Sequence, residues 1–340
     1  MADLINVYLI TGFLGSGKTT FLNRLIHQFP QNLRLMILMN EFGEIGVDGT
    51  LVSGEDLDIL EISKGSIFCA CVKTDFIKGL FLISREIKPD ILLIESTGVA
   101  NPTDLQKDLI LPIFNNSFVL KERFCIVDAG SFLDEFGVFA SVENQIASST
   151  RFIINKIDLA SREQIEEIKA LISGYNPSPY FYEATYTNID VAHLLSLDRG
   201  QDRTVPDMAG LSMTDQELEQ YVEDLLSDPG ANITPPDILM SATFLWRGGD
   251  LSEIEELTRG LPREVVRAKG FLSAGYSTYL YSNVMGRFSL EKTAVLVKEG
   301  QRNVLVLIFD PDALPRVEEV MEKYNFQKMG EIAPGLGVKI

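Results

Sequence analysis

Residues 12–19 read Gly-Phe-Leu-Gly-Ser-Gly-Lys-Thr, which fits G-x-x-x-x-G-K-[ST] without a departure. The apolar run at 5–10 precedes it and reads as a buried strand. A helical pattern follows, with Phe21, Leu22, Leu25, Ile26 and Phe29 on one face and Pro30 as a stop. Strand, glycine loop and helix together give the motif its mechanism. The glycines let backbone N–H groups turn inward around phosphate oxygens. Gly12, Gly15, Ser16, Gly17, Lys18, Thr19 and Thr20 then form a phosphate site. Lys18 is expected to reach the β- and γ-phosphates, and the Thr19 hydroxyl to hold Mg²⁺. The chain is therefore expected to bind a nucleoside triphosphate.

The remaining pattern extends this into an α/β fold, a P-loop NTPase domain with a mostly parallel sheet. Apolar, β-branched runs recur at 35–39, 91–95, 123–128 and 151–155, with helical patterns near 19–29, 76–87, 131–148 and 161–173. Such alternation predicts helices on both faces, with ligands at the C-terminal ends of the strands. A length of 340 residues suggests two domains. The nucleotide domain is expected over 1–200. Residues 201–236 turn polar and Pro-containing and read as an acidic linker carrying a solvated helix at 214–227. A smaller α+β domain is expected over 237–340, with strands at 238–244, 265–271, 277–281 and 304–309 and helices at 251–257 and 314–324.

Net charge is −18. So acidic a surface argues against nucleic-acid backbones and anionic membranes as partners. The three cysteines make no disulfide framework and point to a reducing compartment. The first strand begins at once, leaving no room for a signal peptide, and no apolar run reaches the ~18 residues of a spanning helix. A cytoplasmic protein is expected.

Asn155-Lys156-Ile157-Asp158 follows an apolar strand and matches N-K-x-D. A carboxylate there accepts two hydrogen bonds from guanine N1–H and the 2-amino group. Adenine lacks that amino group and would leave the carboxylate unpaired. Asp158 takes this role, while Asn155 and Lys156 brace the loop and stack along the base. Glu95-Ser96-Thr97-Gly98 closes another strand. Glu95 can organise Mg²⁺ through water or orient the attacking water, and the Gly98 N–H can sense the γ-phosphate. Lys18, Glu95 and Gly98 are thus the candidate catalytic groups. Asn176-Pro177 reads either as a guanine-facing loop or as a plain turn. No intrinsic catalytic glutamine or arginine finger is evident, so hydrolysis of GTP to GDP and phosphate is expected to be slow without a partner or a homodimer.

Together these segments resemble the CobW-like family of metal-associated GTPases. The likeness covers most of the chain. It rests on the phosphate loop, Asn40-Glu41-Phe42-Gly43-Glu44, Glu95-Ser96-Thr97-Gly98, Asn155-Lys156-Ile157-Asp158 and Val266-Arg267-Ala268-Lys269-Gly270-Phe271. The resemblance implies GTP hydrolysis coupled to delivery of a transition metal, a client metalloprotein as partner, and a C-terminal domain that helps choose partners. The family's C-x-C-C motif is altered here: Ser66 and Phe68 stand where its first two cysteines would be, Cys69 matches the third, and Cys71 is extra.

Read from the residues alone, Cys69 and Cys71 can chelate only on extended or turning backbone, because i and i+2 lie far apart around a helix. A helix N-terminus favours thiolate, and thiolates suit Zn²⁺ or Cu⁺. A closed Zn²⁺ site needs four ligands, so Glu41, Glu44, a histidine, water or a second chain must contribute. The alternatives are two small core residues or a redox pair. Glu41 and Glu44 read equally as γ-phosphate sensors or solvated carboxylates. Two functions follow: a GTP-dependent metallochaperone or insertase, and a G-protein switch for a cofactor enzyme, such as a corrinoid-dependent one, that handles no free metal.

Overall fold

The computed structural model describes residues 4–30, 32–41, 58–63, 70–98, 102–195, 214–227, 237, 239–297 and 299–329. The chain divides into two compact units, one built around residues 4–41 and 70–237 and one around residues 239–329.

The first unit holds the strands β1 (Ile5–Thr11), β2 (Leu35–Glu41), β3 (Asp58–Ser63), β4 (Ile91–Glu95), β5 (Phe118–Asp128), β6 (Arg151–Asn155) and β7 (Tyr180–Glu183). Its helices are α1 (Lys18–Ile26), α2 (Ala70–Leu82), α3 (Pro102–Leu109), α4 (Phe132–Glu135), α5 (Ala140–Ser148), α6 (Arg162–Tyr175) and α7 (Asp215–Ser227). The sheet order is β3-β2-β4-β1-β5-β6-β7. Every pairing from β2 through β7 in that order is parallel.

Helices on both faces explain why the strands read as unbroken apolar runs. Along β1, Val7 and Leu9 face a core shared with Phe76, Ile77 and Leu80 of α2 and Leu105 and Leu109 of α3. Tyr8 and Ile10 face the opposite core with Phe21, Leu22 and Leu25 of α1. β1 is buried along its whole length, so the loop that leaves its C-terminal end starts from a fixed point.

Three expectations change. The helical pattern at 131–148 is broken into α4 and α5 by Gly137, whose φ of +78° departs from the helix. The pattern at 76–87 ends in a π-helical turn, Ile83–Ile87, stopped by Lys88 in the left-handed region. The acidic helix α7 is not free in solvent: Leu218 and Val222 are buried in the core beneath α2, and Lys78 pairs with Glu219 at 2.6 Å. Its acidic residues form only the outer face.

The second unit contains β8 (Met240–Trp246), α8 (Glu253–Gly260), β9 (Val265–Ala274), β10 (Ser277–Val284), β11 (Arg287–Thr293), β12 (Val304–Phe309), α9 (Leu314–Lys323) and β13 (Phe326–Lys328). Its strands pair antiparallel in the order β11-β10-β9-β12-β8-β13. Ile254 and Leu257 of α8 and Val317 and Met321 of α9 share one core with the sheet. Gly270 is required where β9 meets β12, because a Cβ there would lie 1.8 Å from the Val304 carbonyl oxygen.

Candidate nucleotide site

The phosphate loop leaves β1 and enters α1 through Gly12, Gly15 and Gly17, at φ +135°, +75° and +111°. No L side chain is comfortable at these angles. Space forbids one as well. A Cβ on Gly12 would lie 2.2 Å from the Ile126 carbonyl oxygen, and one on Gly17 would lie 2.6 Å from Asn155 Nδ2. Lys18 opens α1 and curls back over the loop, its Nζ donating to the carbonyls of Gly12 and Phe13 at 3.0 Å each. Ser16 is buried and Thr20 exposed.

Thr19, in the first turn of α1, donates through Oγ1 to Glu95 Oε1 at 2.9 Å. Glu95 ends β4 and is buried. An alcohol and a carboxylate are the hard oxygen donors that Mg²⁺ takes, so the residues present fit that ion. Gly98 follows closely and is pressed against the phosphate loop: a Cβ on it would lie 2.6 Å from the backbone nitrogen of Leu14. Its carbonyl accepts from Gln145 Nε2 of α5 at 2.9 Å.

Asn155 ends β6 and joins two loops. Its Nδ2 donates to the Ser16 carbonyl at 2.8 Å, and its Oδ1 accepts from Thr187 N at 2.8 Å. Both contacts are buried, so Asn155 fixes the phosphate loop against the loop after β7. Lys156 adopts φ +59° and pairs with Asp128 Oδ2 at 2.6 Å, at the end of β5. Asp158 lies exposed in the short 3₁₀ turn Ile157–Leu159. The structure thus gathers Lys18, Thr19, Glu95, Gly98, Asn155 and Lys156 at the C-terminal edge of one sheet, with Asp158 beyond it.

The loop after β7 is a part of the site that sequence reasoning missed. Tyr186 and Thr187 sit consecutively at φ +52° and +53°. Helix α1 and the turn that follows it hold the loop there. Arg24 donates to the Tyr186 carbonyl at 2.8 Å and to Asn188 Oδ1 at 3.1 Å. Gln28 donates to the Ile189 carbonyl and accepts from Val191 N. Neither residue at positive φ is a glycine or asparagine, so no turn signal marks the loop.

Asn176 is not guanine-facing. Its Nδ2 donates to the carbonyls of Ile146 and Ser149 at 3.0 and 2.8 Å, capping the end of α5. That use consumes its donors inside the fold.

For the proposed transition-metal ligands the structure says less. Cys69 and Glu44 lie outside the described residues, as do the side chains of Cys71 and Glu41. The Cys71 backbone lies in the first turn of α2, and Glu41 ends β2. Among the described residues no group of three or more His, Cys, Asp or Glu side chains is placed to hold a metal ion. Cys125 is buried in β5, where desolvation pushes its thiol up to about 12. It is an inert core residue.

The chain matches the model of the CobW/HypB/UreG nucleotide-binding domain over residues 6–183. It is 33% identical over 207 residues to the zinc chaperone YeiR of Escherichia coli (strain K12), a match spanning 60% of this chain and 62% of that protein. The chain thus spans less than two thirds of YeiR. It is 28% identical over 267 residues to the zinc chaperone CobW of a Sinorhizobium species, covering 66% of this chain and 75% of that one. Among solved structures, the Zn(II)-bound YjiA GTPase from E. coli aligns over 95% of this chain and 99% of its own, at 19% identity and a TM-score of 0.42. The family match takes in the phosphate loop, Glu95, Gly98 and the Asn155–Asp158 turn, and the chain belongs to the CobW/HypB/UreG nucleotide-binding domain family.

Proposed function

We propose that this chain binds Mg²⁺-GTP, hydrolyses it slowly, and uses the cycle to load zinc or a related transition metal into a client metalloprotein. The observation that carries the nucleotide half is Asn155. One side chain bonds the phosphate loop to the loop after β7, so the strand that ends in the Asn155–Asp158 turn holds the phosphate loop in a fixed place.

The chemistry follows from the chain's own groups. Lys18 exchanges its two carbonyl acceptors for β- and γ-phosphate oxygens. Thr19 and Glu95 hold Mg²⁺, which when bound neutralises charge developing on those oxygens. Asp158 accepts from guanine N1–H and the 2-amino group. Water adds to the γ-phosphorus as the bond to the β–γ bridging oxygen breaks, giving GDP and phosphate. The Gly98 N–H senses whether the γ-phosphate is present.

The relatives named zinc chaperones support the metal half, and Cys69 and Cys71 are the thiols this chain offers, with Glu41 and Glu44 near them in sequence. The test is GTP turnover by chelator-stripped protein during a Zn²⁺ titration, with Cys69→Ser/Cys71→Ser alongside. A stoichiometric, thiol-dependent change in rate is expected. A flat response with hydrolysis intact would replace this reading by a G-protein switch whose cargo is a protein.

A further inference from the structure

Lys73 and Asp108 form an ion pair, Nζ to Oδ1 at 3.2 Å, with the carboxylate side 7% exposed and the lysine side 24%. It joins α2 to α3 beside an apolar contact already made by Phe76, Ile77 and Leu80 with Leu105 and Leu109, with Asp104 and Lys107 of α3 also acting on the carboxylate. The two helices therefore need no ion pair to adhere. A buried pair is often no more stabilising than an apolar one of similar volume, and its surviving use is to specify register. Burial raises the Asp108 carboxyl to about 6 in spite of the lysine beside it, so the pair is held at some expense of stability.

Position argues the same way. Lys73 lies in the first turn of α2, where the helix dipole disfavours a cation, and that turn has no acidic residue. Asp108 is the penultimate residue of α3, where the dipole disfavours an anion. Each charge opposes its own helix. Paired, each lies at the favourable end of its neighbour: the carboxylate near the start of α2, the ammonium near the end of α3. Only one docking of α3 on α2 satisfies both.

The two helices lead to different places. α3 begins shortly after Gly98, which touches the phosphate loop at Leu14. α2 carries Cys71 in its first turn and runs at its far end into the π-helical turn Ile83–Ile87. A π turn is a point where a helix absorbs a change of register.

We infer that the Lys73–Asp108 pair is a positioning latch through which the loop after β4 sets the register of α2. The trigger rests on the nucleotide cycle proposed above; the latch itself needs no metal. When the γ-phosphate draws Gly98, α3 moves with it, and the latch passes that movement to the first turn of α2.

The experiment is amide hydrogen exchange over α2 in the full chain, loaded with Mg²⁺ and either GDP or a non-hydrolysable GTP analogue. The wild type is expected to show roughly a threefold or larger difference in exchange between the two nucleotides. Asp108→Asn and Lys73→Met should abolish that difference. The apolar double variant Lys73→Met/Asp108→Leu should keep its melting temperature and GDP affinity and still lose the difference. A purely structural pair would be rescued by that double variant, so retention of the difference there overturns the latch. Equal exchange in the wild type overturns it too. A parallel Zn²⁺ titration separates this from the cargo reading. If exchange responds to nucleotide but zinc affinity does not, the latch stands and the cargo reading falls. If zinc affinity responds equally in wild type and double variant, the reverse holds.

Discussion

Asn155 concentrates more of the site than any other side chain, since its amide satisfies one backbone group in each of two loops. Asn155→Ala should leave the Ser16 carbonyl and the Thr187 N–H buried and unpaired. A loss of about 2–4 kcal/mol in GTP binding is expected, a rise in Kd of thirtyfold or more on the order-of-magnitude scale of such losses. Calorimetric titration with GTP reads it directly. Gly98→Ala makes a different claim. The new Cβ would meet the Leu14 side chain at 2.5 Å and, just beyond, the Leu14 backbone nitrogen at 2.6 Å, which cannot yield by a rotamer change. Turnover should fall by about tenfold or more while GDP affinity stays within about threefold. Equal losses in both would mean that Gly98 serves the fold and not the γ-phosphate. Asp108 supplies a pH signature. Its folded pKa is raised by burial from 3.8 to about 6, so the folded chain keeps a proton that the unfolded chain has already released. Stability from this group is fully present only below the unfolded value of 3.8, declines as pH rises from there, and is lost as pH passes through 6. Between pH 5 and 7.5 the wild type should lose stability relative to Asp108→Asn, on the order of 1 kcal/mol, measured by urea unfolding at each pH. At this scale the contiguous motifs were legible, because spacing alone places their groups. Arg24 and Gln28 were not. Their partners lie in a loop more than 160 residues away along the chain, and nothing local marks either residue.

Elements were legible in proportion to how completely they are buried. β1 and β4, buried at every position, stand out as apolar runs. β7 is four residues long and half exposed, β11 is mostly exposed, and β13 has three residues; none offers a pattern to read. The hairpin that creates β11 is nonetheless written in Met285 and Gly286, both at positive φ, as a two-residue turn demands. Helix α7 shows how acidity can mislead. Its five charges are all acidic and dominate the reading, yet Leu218 and Val222 repeat at the helical interval and are 5% and 0% exposed. Val222→Ala should therefore destabilise the first unit by about 1–3 kcal/mol, and Leu218→Ala by about 2–4. A solvated helix would lose nothing measurable, so a urea midpoint unchanged from wild type would refute the packing.

At the scale of the whole molecule, acidity and metal handling have to be separated. With 48 Asp and Glu residues and a net charge of −18, the surface will gather divalent cations without any dedicated site. Such binding is long-range and screened by salt, because the Debye length falls to about 3 Å at 1 M ionic strength. Thiolate ligation is short-range and is not. Zinc titration at high salt therefore isolates the Cys69 and Cys71 contribution from the carboxylate background. If that site reports on nucleotide, linkage fixes a reciprocal result: the factor by which the GTP analogue changes zinc affinity must equal the factor by which zinc changes affinity for the analogue. A tenfold factor corresponds to about 1.4 kcal/mol of coupling. The expected outcome is a factor of about ten or more in both directions, measured against GDP, persisting at 0.5 M salt or above and abolished in Cys69→Ser/Cys71→Ser. A factor that shrinks to one as salt rises would assign the zinc response to the acidic surface, and the nucleotide cycle would then act on a protein partner instead of a metal.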